Sequence, residues 1–285
     1  MKLCRFQIDS SEAHIGLIVD DSTVLDLAPA GIHRLSSLFE IEGGAAALAR
    51  LAQRDLPRYA RGDVHLLTPV ERQEVWAVGV TYLRSKKARM EESDFSATAY
   101  DRVYEAERPE LFFKALPEKV VAPGGTVGIR RDATWSVPEP ELALVIDSQG
   151  QIVGYTIGND MSSRDIEGEN LLYLPQAKIY DRSCAVGPCV ATGVSEAEAR
   201  AWTIALHVRR SGAVIFQGDT SVANIKRTFE ELVRYLFRSQ TFPNGAVLLT
   251  GTGIIPPDGF TLLAGDEVQI EISGIGQLKN TVVVV

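Results

Sequence analysis

The chain has 285 residues, of which 45% are hydrophobic and 23% charged, and its formal net charge is -8. These proportions are typical of a folded globular protein, and the negative charge argues against a protein that follows the phosphates of a nucleic acid. No apolar run reaches the roughly 20 residues that span a bilayer, and the first residues lack the apolar core of a secretion signal. The odd number of cysteines, three, predicts reduced thiols and a cytoplasmic protein.

Residues 1–70 are predicted to form a small N-terminal α+β domain. Three short apolar segments separated by polar turns are typical of strands. They cover residues 3–6, 14–19 and 23–27. Apolar residues at helical spacing then predict two helices, near residues 35–41 and 45–53. The segment has no nucleophile, no glycine-rich phosphate loop and no cluster of ligands, so we predict a structural role for it.

Residues 71–285 are predicted to form one β-rich domain. Strand-like apolar runs follow one another with few segments at helical spacing, which argues against a doubly wound α/β sheet. The expected fold class is therefore α+β, with more strand than helix. Cys184 and Cys189 have no histidine or further cysteine near them in the sequence to complete a metal site, so we predict buried thiols.

An acidic pair, Glu139 and Glu141, stands at the start of an apolar run that predicts a strand. Side chains two apart on a strand point to the same face. Asp160 ends the next predicted strand, after a turn at residues 148–151, and a hairpin would bring it back to the pair. Three carboxylates around one point suit Mg²⁺, Mn²⁺ or Ca²⁺. Spacing alone does not separate this site from a solvated Glu-x-Glu pair on an edge strand.

Taken in order, these motifs resemble the fumarylacetoacetate hydrolase family. The resemblance covers residues 74–285 and consists of Glu139-x-Glu141, the run Asn159-Asp160-Met161-Ser162-Ser163-Arg164-Asp165, Lys178, and residues 249–253. It implies a catalytic domain built as a mixed β-sheet roll, a divalent metal held by the acidic pair and Asp160, and a homo-oligomer, either a dimer or a tetramer.

One segment departs from the family pattern. The family's hydrolases have G-x-N-Y-x-x-H there, with a glutamate three residues after the histidine. In this chain Thr81 replaces the asparagine, Ser85 the histidine and Ala88 the glutamate. Serine does not act as a base at neutral pH as imidazole does, and alanine has no proton chemistry. The departure argues against hydrolysis by the family's usual route.

Residues 79–85 and 249–256 resemble, within the family, the dehydratases of 2-keto-3-deoxypentonates. That resemblance implies a hydro-lyase of pentose and sugar acid catabolism that converts 2-keto-3-deoxy-D-arabinonate, or the xylonate-derived acid, to 2-oxoglutarate semialdehyde through a metal-stabilised enolate. Two alternatives stay open. One is a C–C bond hydrolase of a 2,4-diketo acid, of the fumarylpyruvate or acylpyruvate type. The other is a protein of the same fold that binds a sugar acid without turning it over.

Lys178 matches the family's active-site lysine and is our first choice for proton transfer. Beside a dication it would lose its proton more readily, because like charges disfavour the protonated form. Glu110, on a strand that resembles the family's pocket-lining strand, is our second choice. Residues expected to contact the substrate are Arg84, Ser85, Lys114 and Thr252. The plainer alternatives are a surface lysine at position 178 and a surface salt bridge between Glu110 and Lys114.

Overall fold

The computed structural model describes residues 1–9, 12–39, 44–83 and 102–285. Within these residues a sheet of eleven strands lies against a sheet of five, and two further strands form a separate ribbon. In chain order the strands are β1 (Lys2–Gln7), β2 (His14–Asp20), β3 (Thr23–Asp26), β4 (Arg58–Ala60), β5 (His65–Leu67), β6 (Glu74–Gly79), β7 (Glu110–Ala115), β8 (Thr126–Ile129), β9 (Ser136–Val137), β10 (Pro140–Ile146), β11 (Ile152–Asp160), β12 (Ser162–Ser163), β13 (Cys184–Ala191), β14 (Thr203–Arg210), β15 (Ala213–Ser221), β16 (Ala246–Leu249), β17 (Glu267–Ile272) and β18 (Gly276–Val284).

Helices are short and stand between the strands. Those whose two ends both lie within the described residues are α1 (Leu35–Phe39), α2 (Gly44–Ala52), α3 (Arg164–Glu169), α4 (Leu174–Lys178), α5 (Glu196–Arg200) and α6 (Phe229–Leu236). Single 3₁₀ turns cover Ala28–Ala30, Arg61–Asp63, Pro117–Lys119, Leu171–Tyr173 and Val222–Asn224. No helix among the described residues has the length and apolar character needed to cross a bilayer. The predicted β-rich α+β fold is confirmed.

The large sheet has the order β4-β3-β2-β1-β13-β11-β10-β16-β6-β7, and β5 also pairs with β1. Strand β1 runs antiparallel to β13, with Leu3 opposite Val190, so the N-terminal strands extend the sheet that carries the site. The predicted N-terminal strands and helices are observed as β1 to β3, α1 and α2. The division of the chain near residue 70 stays a prediction.

Strand β10 lies inside the large sheet, between β11 and β16. All its residues are buried, which explains why its sequence is almost continuously apolar rather than alternating. The β10–β11 turn is held by Asp147, whose Oδ1 accepts hydrogen bonds from the backbone of Gln149 at 2.9 Å and Gln151 at 2.8 Å. These local bonds fix the register that sets Pro140 opposite Asn159.

The five-stranded sheet has the order β15-β14-β17-β18-β8 and covers one face of the large sheet. Buried side chains from both sheets and from α6 form one core, including Leu142 and Leu144 from β10, Leu206 from β14 and Phe229 from α6. This packing holds one face of the β10–β11 hairpin, and the end of that hairpin carries the acidic residues.

Candidate functional site

Three carboxylates converge at the end of the β10–β11 hairpin. Glu139 stands just before β10, Glu141 lies within it, and Asp160 ends β11. The backbone N–H of Asp160 donates to the carbonyl oxygen of Glu139 at 3.0 Å. One carboxylate oxygen from each residue lies within 4.8 Å of the others, and all three side chains are buried. The predicted hairpin therefore brings the three acids together, while their role as metal ligands stays a prediction.

Lys178, at the end of α4, points its ammonium group into this acidic cluster. Nζ donates to Glu139 Oε2 at 2.6 Å, to Asp160 Oδ2 at 3.0 Å and to Ser162 Oγ at 2.6 Å. Its side chain is 3% exposed, so the alternative of a surface lysine is excluded. The ammonium offsets part of the repulsion between Glu139 and Asp160.

Two further cations brace the same carboxylates from outside the cavity. Arg164 lies 2.9 Å from Glu139 Oε1 through its Nη2. Lys114 is fully buried, forms an ion pair with Asp160 Oδ1, and donates to the carbonyl oxygens of Met161 at 3.1 Å and of Lys178. We predicted a substrate contact for Lys114, but its ammonium lies behind Asp160 and is surrounded by protein. The alternative of a surface salt bridge at this lysine is excluded as well.

Glu141 has a different environment from its two neighbours. No cation of the described chain lies within 4.0 Å of its carboxylate, which accepts a hydrogen bond from the backbone N–H of Gly251 at 2.5 Å. Burial raises the pKa of Glu141 well above its usual value, and the nearby charges of Asp160 and Glu139 raise it further. A divalent cation among these oxygens would supply the missing positive charge, so the donor set fits a hard cation such as Mg²⁺.

A small cavity opens from the acidic cluster. The described residues that line it are Val78, Gly79, Val80, Glu110, Phe112, Glu139, Glu141, Asp160, Glu167, Leu174, Lys178, Gly251 and Thr252. The carboxylate of Glu110 lies directly over the α-carbon of Gly79, where any larger side chain would collide with Oε2. The hydroxyl oxygen of Thr252 accepts a hydrogen bond from the backbone of Ile254 at 3.2 Å. The cavity thus combines a polar floor with a small apolar wall, as small-molecule sites do.

The backbone beside the cavity is strained at Val80. This residue has a φ of 54°, in the left-handed region that β-branched residues rarely adopt. Backbone strain of this kind concentrates at ligand sites, where the surrounding structure holds it in place. Val80 directly follows Gly79, so the strained residue is next to the glycine against which the Glu110 carboxylate packs.

Of the predicted site residues, Lys178, Glu110 and Thr252 line the same cavity as the three acids. Arg84 and Ser85 lie outside the described residues. We did not expect Glu167 at the site, and we gave Arg164 no role of its own. These two residues are three apart in α3, immediately after Asp160, and residues at that spacing share one face of a helix. That spacing was the signal available in the sequence.

The family described as "Fumarylacetoacetate (FAA) hydrolase C-terminal" matches residues 74–283. A "Probable 2-keto-3-deoxyxylonate dehydratase" of Haloferax volcanii is 44% identical over 280 residues, covering 98% of this chain and 92% of that protein. A "2-dehydro-3-deoxy-D-arabinonate dehydratase" of Saccharolobus solfataricus is 39% identical over 270 residues, covering 93% of this chain and 91% of that protein.

Among solved structures, the chain is similar to "2-keto-3-deoxy-D-arabinonate dehydratase complexed with magnesium and 2,5-dioxopentanoate". The TM-score is 0.83 at 33% sequence identity, and the likeness covers 100% of this chain and 99% of that one. The likeness therefore includes both the N-terminal strands and the acidic cluster.

Proposed function

We propose that this chain, which belongs to the fumarylacetoacetate hydrolase family, is a magnesium-dependent dehydratase that converts a 2-keto-3-deoxypentonate to 2-oxoglutarate semialdehyde. The observation that carries the proposal is its likeness, across 98% of its length, to a protein named as a dehydratase of such an acid. The solved relative was described with magnesium and 2,5-dioxopentanoate, and 2,5-dioxopentanoate is another name for 2-oxoglutarate semialdehyde.

The two relatives carry different sugar names but point to one substrate chemistry. Loss of the oxygen at C3 leaves C4 as the only stereocentre of the acid. D-Arabinonate and D-xylonate have the same configuration at C4, so the 2-keto-3-deoxy acids derived from them are the same compound. The substrate proposed here is that compound.

In the proposed site Glu139, Glu141 and Asp160 hold the divalent cation. Bound there, the cation would polarise the 2-keto group and stabilise negative charge on its oxygen. The chain itself keeps two of these carboxylates in place, because Lys178, Lys114 and Arg164 contact Glu139 and Asp160. The site is therefore preorganised for a 2-oxo acid.

The reaction itself is a sequence of proton transfers around one bond cleavage. A base takes a proton from C3, and the electron pair left behind expels the C4 hydroxyl, which leaves as water after taking up a proton. The resulting 3,4-alkene becomes the C5 aldehyde when protons move from C5 to C3 and from the C5 hydroxyl to C4. No water has to be activated, which agrees with a site that lacks the family's histidine and its partner glutamate.

Lys178 and Glu110 are the residues proposed to move these protons. Lys178 Nζ lies in the acidic cluster where the 2-oxo acid would bind, and Glu110 reaches the same cavity from β7. Thr252 borders the cavity and is proposed to orient the substrate. Ser85 and Arg84, outside the described residues, stay predicted substrate contacts. The cytoplasmic location and the dimeric or tetrameric state are also part of the proposal.

Proton NMR of the purified protein with synthetic 2-keto-3-deoxypentonate tests the function. With Mg²⁺ we expect the D acid to be converted to 2-oxoglutarate semialdehyde, and treatment with a chelator should stop the reaction. A parallel assay offers a 2,4-diketo acid of the acylpyruvate type. Cleavage of that acid into two carbon fragments, with no dehydration of the pentonate, would support the hydrolase alternative. Binding of either acid without any product would support the non-catalytic one.

Deuterium exchange at C3 in D₂O separates the roles of the proton-transfer groups. Lys178→Met is expected to retain Mg²⁺ binding but to lose turnover, because it removes the ammonium while keeping most of the volume. If the variant still exchanges C3 at the wild-type rate without dehydration, Lys178 acts on the leaving hydroxyl. If both rates are normal, the assignment of Lys178 is wrong.

A further inference from the structure

The peptide unit between Thr250 and Gly251 is held at both of its polar ends. Its carbonyl oxygen, on Thr250, accepts a hydrogen bond from Thr81 Oγ1 at 2.6 Å. Its N–H, on Gly251, donates to Glu141 Oε2 at 2.5 Å. A trans peptide unit is planar, and its carbonyl and its N–H point in opposite directions. A group that fixes the direction of the carbonyl therefore also fixes the direction of the N–H.

Thr81 reaches this peptide unit because two parallel strands end at the same edge of the large sheet. Strand β6 pairs with β16, with Ala77 opposite Leu249, and the chain continues beyond that edge from both strands. Thr81 is buried, and its own carbonyl oxygen accepts a hydrogen bond from the backbone N–H of Lys226 at 3.0 Å. The hydroxyl group is thus presented from a backbone that is itself anchored.

Gly251 makes the orientation of the peptide unit depend on its hydrogen bonds. Its φ is 91°, and glycine adopts positive and negative φ about equally readily. The backbone at this residue therefore does not by itself fix which way the peptide unit faces. Turned over, the unit would aim the carbonyl oxygen of Thr250 at the Glu141 carboxylate in place of the N–H. The Thr81 hydroxyl holds that carbonyl on the opposite side.

We infer that Thr81 is a positioning residue of the metal site, whose hydroxyl holds the peptide unit so that the Gly251 N–H keeps the Glu141 carboxylate in place for the divalent cation. The inference rests on the proposed function for the presence of that cation. The hydroxyl acts in two ways. It fixes the direction of the N–H, and by polarising the amide through its carbonyl oxygen it makes that N–H a stronger donor.

The three carboxylates of the cluster differ in what holds them. Glu139 and Asp160 are each contacted by two cationic side chains. Within the described part of the chain, the Glu141 carboxylate has one hydrogen-bond donor, the N–H of Gly251. Loss of that donor would leave a buried carboxylate without a partner, which is unfavourable. Glu141 is therefore the ligand whose position depends on Thr81.

Calorimetric titration of Mg²⁺ into chelator-treated, dialysed protein tests the effect on the site. Thr81→Val removes the hydroxyl and keeps the branched side chain, and we expect it to lower Mg²⁺ affinity about tenfold. Thr81→Ser keeps the hydroxyl and should bind Mg²⁺ within about twofold of wild type. Thr156→Val is the matched control, because Thr156 is also buried and its Oγ1 donates to the carbonyl oxygen of Gly187 at 3.3 Å. It loses a comparable hydrogen bond but should keep the wild-type Mg²⁺ affinity.

An NMR measurement reports on the peptide unit itself, without metal. Labelling threonine carbonyls with ¹³C and glycine nitrogens with ¹⁵N selects the amides of glycines that follow a threonine, which are Gly193, Gly251 and Gly253. The Gly251 peak is the one absent from Gly251→Ala. In Thr81→Val its amide proton should move upfield, because it no longer donates a short hydrogen bond to a carboxylate. The peak should stay in place in Thr81→Ser, and Gly193 is the internal reference.

The inference requires both changes in Thr81→Val, and it is overturned if either the Mg²⁺ affinity or the Gly251 peak is that of wild type. It is also overturned if Thr81→Ser behaves like Thr81→Val, since packing of the methyl group would then be responsible. Should Thr81→Val not fold, Thr81→Ala removes the hydroxyl without new apolar volume and must show the same two changes. Wild-type protein that binds Mg²⁺ but does not dehydrate the pentonate refutes the proposed function alone, whereas active protein with both readouts unchanged in the variant refutes the role of Thr81 alone.

Discussion

Glu141 is the residue at which the charge of the site is least compensated in the metal-free protein. Because its pKa in the folded state is raised by burial, and further by Asp160 and Glu139, folding favours its protonated form. The unfolded chain has the ordinary glutamate pKa of about 4.3. The associated stability is therefore complete below that pH and is lost as the pH rises through the folded-state pKa.

Glu141→Gln removes this pH dependence, because glutamine is neutral at every pH. Chemical denaturation of chelator-treated protein from about pH 4 to pH 8 should show the variant gaining stability relative to wild type as the pH rises. Saturating Mg²⁺ should abolish that gain, since the wild-type carboxylate then has its counter-charge. Glu118→Gln, at an exposed position, is the control. Parallel pH profiles for the wild type and Glu141→Gln would contradict the prediction.

Lys114 shows the opposite situation, a buried cation whose carboxylate partner also faces the metal position. Lys114→Met leaves Asp160 buried with one charge fewer to balance it. Removing one partner of a buried ion pair costs about 3–5 kcal/mol, so we expect a loss of that order in urea denaturation of the chelator-treated protein. The stabilisation gained on adding Mg²⁺ should be larger in the variant than in wild type, because the site has become more negative.

The control for that experiment is Lys119→Met. Lys119 Nζ lies 3.2 Å from Asp181 Oδ1, but both side chains are largely exposed. Exposed ion pairs contribute about 0–1 kcal/mol to the free energy of unfolding. A Lys114 variant as stable as this control would show that the lysine does not brace Asp160.

At the scale of elements, the β10–β11 hairpin was predictable and its surroundings were not. The apolar run after Glu141 and the Asp147–Gly150 turn are local signals, and the register they set brings Asp160 to the acidic pair. The positions of Lys114 and Glu167 depend instead on how β7 and α3 pack on that hairpin. A prediction from spacing sees charged residues on a strand or a helix, but not that tertiary packing buries them.

The loop after β16 supplies the backbone N–H that holds Glu141, one of the proposed metal ligands on the hairpin. Gly251 has a φ of 91°, and a Cβ there would collide with Thr81 Oγ1. Gly251→Ala should therefore combine backbone strain with a steric clash, and displace the N–H that donates to Glu141. We expect a loss of more than about 2 kcal/mol in urea denaturation, together with weaker Mg²⁺ binding by calorimetry.

Gly124→Ala is the matched change for this test. Gly124 has a φ of 79° but open space around it, so the substitution carries the backbone penalty of about 1 kcal/mol without the clash. Mg²⁺ affinity should stay at the wild-type value in that variant. If the two glycine variants lose equal stability and bind Mg²⁺ equally well, the hydrogen bond from Gly251 to Glu141 contributes neither to stability nor to Mg²⁺ binding.

At the scale of the whole molecule, the sheet connects parts of the chain that the sequence suggested were separate. Composition and pattern predicted a boundary near residue 70, because the chemical motifs begin only after it. The structure pairs β1 with β13, and Leu3 packs in one cluster with Val145 and Val190. Local patterns give strands their identity but not their partners, so this junction was not visible in the sequence.

The three cysteines offer a direct test of whether this junction makes the chain one folding unit. Cys4 lies in β1, while Cys184 and Cys189 lie in β13, and all three are buried free thiols. Burial raises the pKa of the Cys4 and Cys184 thiols to about 12 and that of Cys189 to about 11, so none should react in the folded state. If the sheet unfolds as one unit, the thiols become reactive together.

We therefore expect a characteristic result from pulsed alkylation along a urea gradient, with the labels counted by intact mass. Most molecules should carry either no label or three labels, and few should carry one. Cooperative unfolding of this kind is common in single domains, whereas separate domains unfold in separate steps. A population carrying a single label at Cys4, formed at lower urea than the loss of tryptophan fluorescence, would show an independent N-terminal unit. The tryptophans report on the remainder because Trp76, Trp135 and Trp202 all lie after residue 70. We expect both signals to share one midpoint, because separating β1 from β13 would expose Leu3 and Val190 to water.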